Sequence, residues 1–351
     1  MDRSSLRHLA MSDPLPVEIV GGGLAGLALG LGLLRSSIPV KIYEAGKYPR
    51  HRVCGEFITG LDASTIDRLG LGAALQPARR LSEVEWFFQG KSVLRSRLPA
   101  PALAISRHAL DAQLAADFTT AGGELIAGFR FDPTEAPSGR VFSTGRRRTS
   151  SSLIGLKLHA RGFPLVNELE FHLGDQAYLG ICPVEDGRVN LCGLFRQRPN
   201  LHTHKESILA DYLRASGLSA LAERLDAAEV CIESCSAVAG VSFDAGIVSP
   251  DRINLGDTYA LIPPFTGNGM AMALQSAELA VDPLVDWSDG ATTWMETIRR
   301  VGSAHRKRFA RRLFFAGIVH PFLQKPSHQR WLTAVARSGI LPIRSLYHLL
   351  H

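Results

Sequence analysis

The chain has 351 residues, 46% of them hydrophobic and 21% charged, the balance of a globular protein with a large buried core; this excludes a disordered or fibrous chain. Its formal charge of +6 is local, because seven basic residues lie between Arg299 and Arg312, so nucleic-acid binding is not implied. Five cysteines without paired metal-type spacing describe neither a disulfide framework nor a zinc site, so a reducing, cytoplasmic setting and no metal are expected.

The first sixteen residues lack the apolar region of a signal peptide, and Met11 is an alternative start to Met1. In "VEIVGGGLAGLALG", Val17–Val20 read as a buried parallel strand, and Gly21, Gly23 and Gly26 form G-x-G-x-x-G. Leu24–Leu34 read as the following helix, too short for a bilayer that requires about 20 residues. The next strand, "PVKIYEA", ends in Glu44, eighteen positions after Gly26, followed by Ala45. Strand, helix, second strand and terminal acid together make a dinucleotide fingerprint. Gly21 permits the tight turn, Gly23 lets a pyrophosphate reach the backbone beside Leu24 and Ala25, and Gly26 lets helix and strand pack. The helix start faces the phosphates with its unpaired N–H groups. An acid at position 44 binds ribose hydroxyls and disfavours a 2′-phosphate, so FAD or NAD is expected rather than NADP.

Further along, "KYPRHRVCGEFITG" carries Arg52 and Cys54, and "ISRHALDAQLAADFTTAGGELI" opens a helix at Arg107. A basic cluster, Arg146–Arg148, follows the strand end Ser143-Thr144-Gly145 and reads as a solvated turn. "SLIGLKLHA", "NELEFHL" and "QAYLGICPVEDGRVNLCGLFR" alternate as antiparallel strands, with "EDG" as a hairpin turn. His159, His172 and Tyr178 are the polar residues of these strands that could act as acid or base. Cys182 and Cys192, on adjacent strands, read as small hydrophobes. In "RINLGDTYALIPPFTGNGMAMALQSAELA", Ile253–Leu255 form a strand, Gly256 and Asp257 a turn, and Gly267–Ala280 a helix entered past Pro264 through Gly267, Asn268, Gly269 and Met270. This second segment selects FAD: Asp257 suits the ribityl hydroxyls, and the helix start suits negative charge on a reduced isoalloxazine. From Thr292 the pattern is helical as far as Pro321. Phe309, Leu313, Phe314 and Ile318 lie on one face, and Arg299, Arg300, Arg306, Lys307, Arg308, Arg311 and Arg312 on the other. Such a helix suits either the surface of an anionic bilayer or packing on the cofactor domain with a solvated basic side.

"VCGEFITG", the Arg107 segment and the Gly-Asp segment make residues 17–280 resemble the FAD-dependent monooxygenase and geranylgeranyl reductase superfamily, which has the para-hydroxybenzoate hydroxylase fold and includes flavin halogenases. The resemblance implies an α/β chain with a Rossmann-type, GR2-like FAD-binding domain over residues 17–80, 102–150 and 245–285. An antiparallel β-sheet substrate domain is implied over 81–101 and 151–244, and C-terminal helices over 286–351. It also implies that Arg107 and Arg52 contact the cofactor and that Cys54 faces the flavin, the alternative for Cys54 being a buried inert thiol. Pro183, Asn190 and Gly193 match the reductase branch; the W-x-W-x-I-P segment of tryptophan halogenases is absent, its counterpart being Leu179–Pro183. The superfamily's A-D-G segment is also missing, so electrons are expected from a separate reductase or from NAD(P)H docked differently. Hydroxylation of an apolar aromatic or polyketide-like small molecule is the expected reaction. Reduction of prenyl double bonds and flavin binding without turnover are the alternatives.

Overall fold

The computed structural model describes residues 13–132, 136–146, 149–199, 201, 204–243, 250–338, 347 and 349; Met11, Arg147 and Arg148 lie outside them. The strands are β1 (Val17–Val20), β2 (Val40–Glu44), β3 (Phe57–Ile58), β4 (Arg79–Phe88), β5 (Lys91–Ala104), β6 (Glu124–Ala127), β7 (Arg140–Phe142), β8 (Leu153–Arg161), β9 (Leu169–Gly174), β10 (Ala177–Pro183), β11 (Arg188–Arg196), β12 (Glu229–Ala239) and β13 (Ile253–Asn254). The helices are α1 (Leu24–Leu34), α2 (Ala63–Leu69), α3 (Gly72–Leu75), α4 (Arg107–Thr120), α5 (Ile208–Ala215), α6 (Ser219–Asp226), α7 (Gly269–Ser288), α8 (Trp294–Gln324) and α9 (Pro326–Arg337).

Strand β1 is central in a parallel sheet of order β13-β7-β1-β2-β6. Helix α1 is buried from Leu24 to Leu33 and packs between this sheet, α4 and α7, with Leu27, Leu114, Phe118 and Leu274 in one core. That burial explains its uninterrupted apolar composition, since a helix covered all round has no polar face to show.

The second sheet has the order β12-β8-β11-β10-β9-β4-β5-β3. It is mixed rather than purely antiparallel, because Val84–Phe88 of β4 run parallel to Leu169–Leu173 of β9. No hairpin joins these two strands; the chain between them passes through the first sheet and returns, a crossover that allows parallel pairing. The β10–β11 hairpin turns at Glu185-Asp186-Gly187, with Asp186 and Gly187 at φ 58° and 68°.

Two helix boundaries differ from expectation. Helix α7 starts at Gly269 and continues through Pro283 to Ser288, and α8 runs past Pro321 to Gln324. Pro321 lies in the last turn, where a missing N–H costs only one hydrogen bond. The burial of α8 also corrects the reading of its faces. Its buried stripe is Ile298, Val301, His305, Phe309, Arg312 and Ala316, whereas Phe314 and Ile318 are 64% and 48% exposed. Arg312 is inside because its Nη1 donates to Gln275 Oε1 at 3.0 Å and its guanidinium lies 5.7 Å from the Phe309 ring centre. Among the described residues no helix is long and apolar enough to cross a membrane.

Candidate functional site

The turn between β1 and α1 needs glycine for two reasons. Gly21 adopts φ +110°, and a Cβ there would lie 2.3 Å from the Ser143 carbonyl oxygen; a Cβ on Gly26 would lie 2.0 Å from the Gly21 oxygen. Both serve the packing of strand against helix. Gly23 differs. Its backbone is extended, and the nearest atoms to a Cβ would be guanidinium nitrogens of Arg52 and Arg107, each 4.0 Å away. No side chain caps the first turn of α1. The space between an uncapped helix start and two guanidinium groups is suited to an anion such as a pyrophosphate.

Both arginines are held from below by the buried Asp111. Arg107 binds it through Nε and Nη2 at 2.7 and 2.8 Å, and Arg52 through Nε at 3.2 Å. Two cations on one carboxylate leave the helix start with a net positive charge. Glu44 closes the other side, accepting from the Gly22 and Gly46 amides at 2.8 and 2.7 Å and from Arg50 at 2.8 Å. A carboxylate accepts about four hydrogen bonds, so one position remains for a hydroxyl.

These groups line a single cavity of about 1360 Å³. Among the residues singled out from sequence, Gly21, Gly23, Leu24, Ala25, Glu44, Ala45, Arg52, Arg107, Gly256, Asp257, Pro264, Gly267, Gly269 and Met270 line it. Gly256 sits between the two helices, its Cβ position 3.2 Å from that of Ala25. Asp257 is accessible through the cavity but otherwise surrounded by protein, and this burial raises its carboxyl pKa against the opposing pull of Arg107, Arg146 and Arg52. Asn268 is fully buried, with Oδ1 3.1 Å from Thr59 Oγ1, so its side chain supports the loop rather than lining the cavity. Where the A-D-G segment was expected, Thr144, Gly145 and Arg146 form part of the wall, and the Gly145 amide donates to Thr258 Oγ1 at 2.8 Å.

Of the four candidate acid–base or thiol residues, Cys54 and Tyr178 line the cavity. Burial raises the Cys54 pKa, which keeps it a thiol, and does the same more strongly to Tyr178. His172 is buried away from the cavity, stacked on Phe87 at 4.5 Å and bonded to Glu170 at 2.8 Å. His159 is fully buried, with Nε2 2.5 Å from Glu56 Oε2. Cys182 and Cys192 are free thiols that both line the cavity, and Cys182 is buried with Sγ 3.5 Å from the Gly55 carbonyl oxygen.

His159 belongs to a cluster that sequence reasoning missed. Glu56 Oε1 lies 3.1 Å from Lys157 Nζ and accepts from the Arg107 amide at 3.0 Å, and Lys157 Nζ lies 3.3 Å from His51 Nδ1. Burial disfavours a charged Glu56, but the His159 hydrogen bond and the Lys157 charge outweigh it and hold its pKa below the ordinary value. Burial and the Lys157 charge lower the His51 pKa to about 4. Neutral His51 accepts at Nδ1 from Lys157, a donor-only ammonium, so its N–H is on Nε2. His51 lines the cavity; Lys157, Glu56 and His159 lie behind it. The signals were a charged residue at an inward position of β8 and the Arg107/Asp111 pair at helical spacing, but the partners of each are remote in sequence.

Away from the glycine turn, the lining is aromatic and aliphatic. Trp86, Phe171, Tyr178 and Phe265 form a chain of ring contacts at 5.2, 5.7 and 6.4 Å, and Val241, Phe322, Leu323 and Leu332 extend it. Glu170 also borders this region, its carboxylate held by Arg224 at 2.9 Å and by His172. These contacts outweigh burial and lower its pKa to about 2.

The chain superimposes on p-nitrophenol 4-monooxygenase PnpA from Pseudomonas putida with a TM-score of 0.75, 13% identity and 97% of each chain covered. It has the fold of the FAD-dependent monooxygenases. Within that flavoprotein fold, HpxO from Klebsiella pneumoniae, solved with FAD and uric acid, gives a TM-score of 0.74 at 14% identity over 96% of each chain. A geranylgeranyl bacteriochlorophyll reductase-like protein from Thermoplasma acidophilum gives 0.70 at 15% identity, covering 93% of this chain and 92% of that one. In sequence, the chain is 23% identical to a menaquinone reductase of Mycolicibacterium smegmatis over 369 aligned positions, covering 90% of this chain and 87% of the relative. No protein-family profile matches the chain.

Proposed function

We propose that the chain is an FAD-dependent oxidoreductase that reduces a double bond of a prenylated, quinone-like small molecule. The apolar half of the cavity carries this reading: an elongated hydrocarbon fits a wall of Trp86, Phe171, Phe265, Phe322 and Leu332, whose neighbouring carboxylate, Glu170, is already neutralised. Similarity along most of the chain to a menaquinone reductase supports the same substrate class.

The dinucleotide half fits FAD on its own terms. The Gly23 hollow takes the pyrophosphate between Arg52 and Arg107, Glu44 has one acceptor left for the adenosine ribose, and Asp257 is the acceptor for the ribityl hydroxyls. Bound there and reduced, the flavin would supply the hydride; the polypeptide orients, excludes water and handles the proton. His51, neutral and with its Nε2–H free of Lys157, is the residue we assign to proton relay: it passes on the Nε2 proton while Nδ1 takes one from Lys157, and the Lys157–Glu56–His159 cluster fixes its tautomer. Electrons enter from a separate reductase or from NAD(P)H.

Hydroxylation of an apolar aromatic is the second reading, supported by the fold shared with PnpA. An anaerobic single turnover separates the two. FAD-loaded enzyme, photoreduced and mixed with a prenylated quinone, is expected to reoxidise as the product gains two hydrogens and no oxygen. Failure to reoxidise without air, with oxygen appearing in the product in air, would overturn the reductase. A protein that responds to no substrate either way would be a flavin-binding scaffold.

A further inference from the structure

The acidic and basic residues of this chain are segregated. From Thr297 to the last residue there are eleven lysines and arginines and no aspartate or glutamate, which leaves twenty-eight cations against thirty-three carboxylates on the rest. One end of the sequence is thus strongly positive and the remainder mildly negative.

On helix α8 the positive segment presents one stripe. Lys307, Arg311, Phe314, Ile318, Pro321 and Lys325 follow each other at intervals of four and three residues, which places them on one face, and all six are exposed. The stripe has an apolar centre, Phe314 to Pro321, with cations at both ends. Trp331 of α9, 59% exposed, adds to the apolar part through its 6.0 Å contact with Phe322, and Arg330 and Arg337 flank it in the exposed positions of α9. Lys325, Arg330 and Arg337 have no carboxylate partner among the described residues.

The same residues form an entrance. Ile318, Phe322 and Trp331 line the large cavity, and the exposure of Ile318 and Trp331 means that its apolar half opens to solvent between α8 and α9. A hydrocarbon that reaches this opening through water must expose its whole length on the way. A bilayer pressed against the opening removes that cost.

We propose that the Phe314–Pro321 stripe of α8 and Trp331 of α9 dock the protein on an anionic lipid surface, so that the apolar substrate enters the cavity directly from the bilayer. The apolar centre inserts among the acyl chain ends nearest the headgroups, while Lys307, Arg311, Lys325, Arg330 and Arg337 pair with lipid phosphates. The net negative remainder is repelled from the same surface, which orients the molecule with its entrance down. The role of the docking rests on the prenyl-reductase reading; the docking itself does not, so its test uses no substrate.

The test is co-sedimentation of the FAD-loaded protein with vesicles of phosphatidylglycerol and phosphatidylcholine, and with phosphatidylcholine alone. Binding is expected to the anionic vesicles, weakening as salt is raised, with brominated lipid quenching a tryptophan signal that Trp331→Phe removes. Replacing Lys307, Arg311 and Lys325 by glutamate is expected to weaken binding about a hundredfold or more. The pair Phe314→Ser and Ile318→Ser is expected to weaken it about tenfold. Both variants should keep the flavin content and melting temperature of the parent, since all five side chains are exposed. The proposal is overturned if the parent fails to bind anionic vesicles at low salt, or if it binds them equally well with these residues replaced. It is also overturned if the Phe314 and Ile318 replacements convert a dimer into a monomer, which would make the stripe an interface between copies. If vesicles bind as expected and the anaerobic turnover fails, the docking stands and the reductase reading falls.

Discussion

At the scale of single residues, the three fingerprint glycines separate folding from binding. Gly21→Ala forces a side chain into a positive φ and a backbone oxygen, and should cost about 2–4 kcal/mol in denaturant unfolding of the apoprotein. Gly23→Ala meets nothing nearer than two guanidinium groups at 4.0 Å, so the apoprotein should unfold as the parent does. Its FAD affinity should nevertheless fall by about 2 kcal/mol in a fluorescence titration, because the methyl occupies the phosphate's place. Equal loss of stability in both variants would remove the hollow from the account. Glu56 is a different kind of residue. Glu56→Gln leaves Lys157 buried without a carboxylate and should cost about 3–5 kcal/mol. Because the folded-state pKa of Glu56 is depressed, its contribution is present above the ordinary carboxylate range and is lost as pH falls through and below about 4.5. The acid limb of a melting-temperature profile should therefore be shallower in Glu56→Gln than in the parent. The roles of Gly21 and Gly26 were legible in sequence, because strand, turn and helix are contiguous. The partner of Glu56 was not, because Lys157 lies a hundred residues away on β8, remote in sequence from the β3 end of the same sheet.

At the scale of elements, α8 shows how a pattern can be read with the right period and the wrong phase. Counting apolar residues alone puts Phe314 and Ile318 inside. The structure instead buries His305 and Arg312, which bond to α7 at the Ser276 carbonyl at 3.0 Å and the Gln275 side chain at 3.0 Å. A buried polar group with a partner is tolerated, and sequence does not reveal the partner. Burial lowers the His305 pKa to about 4, against about 6.5 in an unfolded chain. The unfolded state then binds more protons between those values, so stability should drop as pH falls from 6.5 towards 4. His305→Gln should reduce that drop, measured by thermal unfolding at fixed salt, and an unchanged profile would contradict the burial of a neutral imidazole. The β4–β9 pairing was equally illegible, since alternation marks a strand without giving the direction of its neighbour.

At the scale of the whole molecule, one cavity is assembled from segments that are far apart in the chain: the Gly21 turn, the Arg52 and Arg107 pair on Asp111, the Asp257 loop, the β8–β12 sheet and the two C-terminal helices. The motifs at its dinucleotide end are local and were readable; its apolar end arises from side chains that only the fold brings together. A ligand spanning several segments should act on all of them at once. FAD at a hundred times its dissociation constant should stabilise the chain by about 2.7 kcal/mol, with a melting temperature that rises with FAD concentration. The most direct measurement is a titration of the flavin-free protein with FAD, followed by absorbance and by melting temperature in the parent and in Gly23→Ala. One FAD per chain, a bound-flavin spectrum and a raised melting temperature are expected in the parent, with weakened binding in the variant. A parent protein that stays colourless and melts unchanged in excess FAD would contradict it.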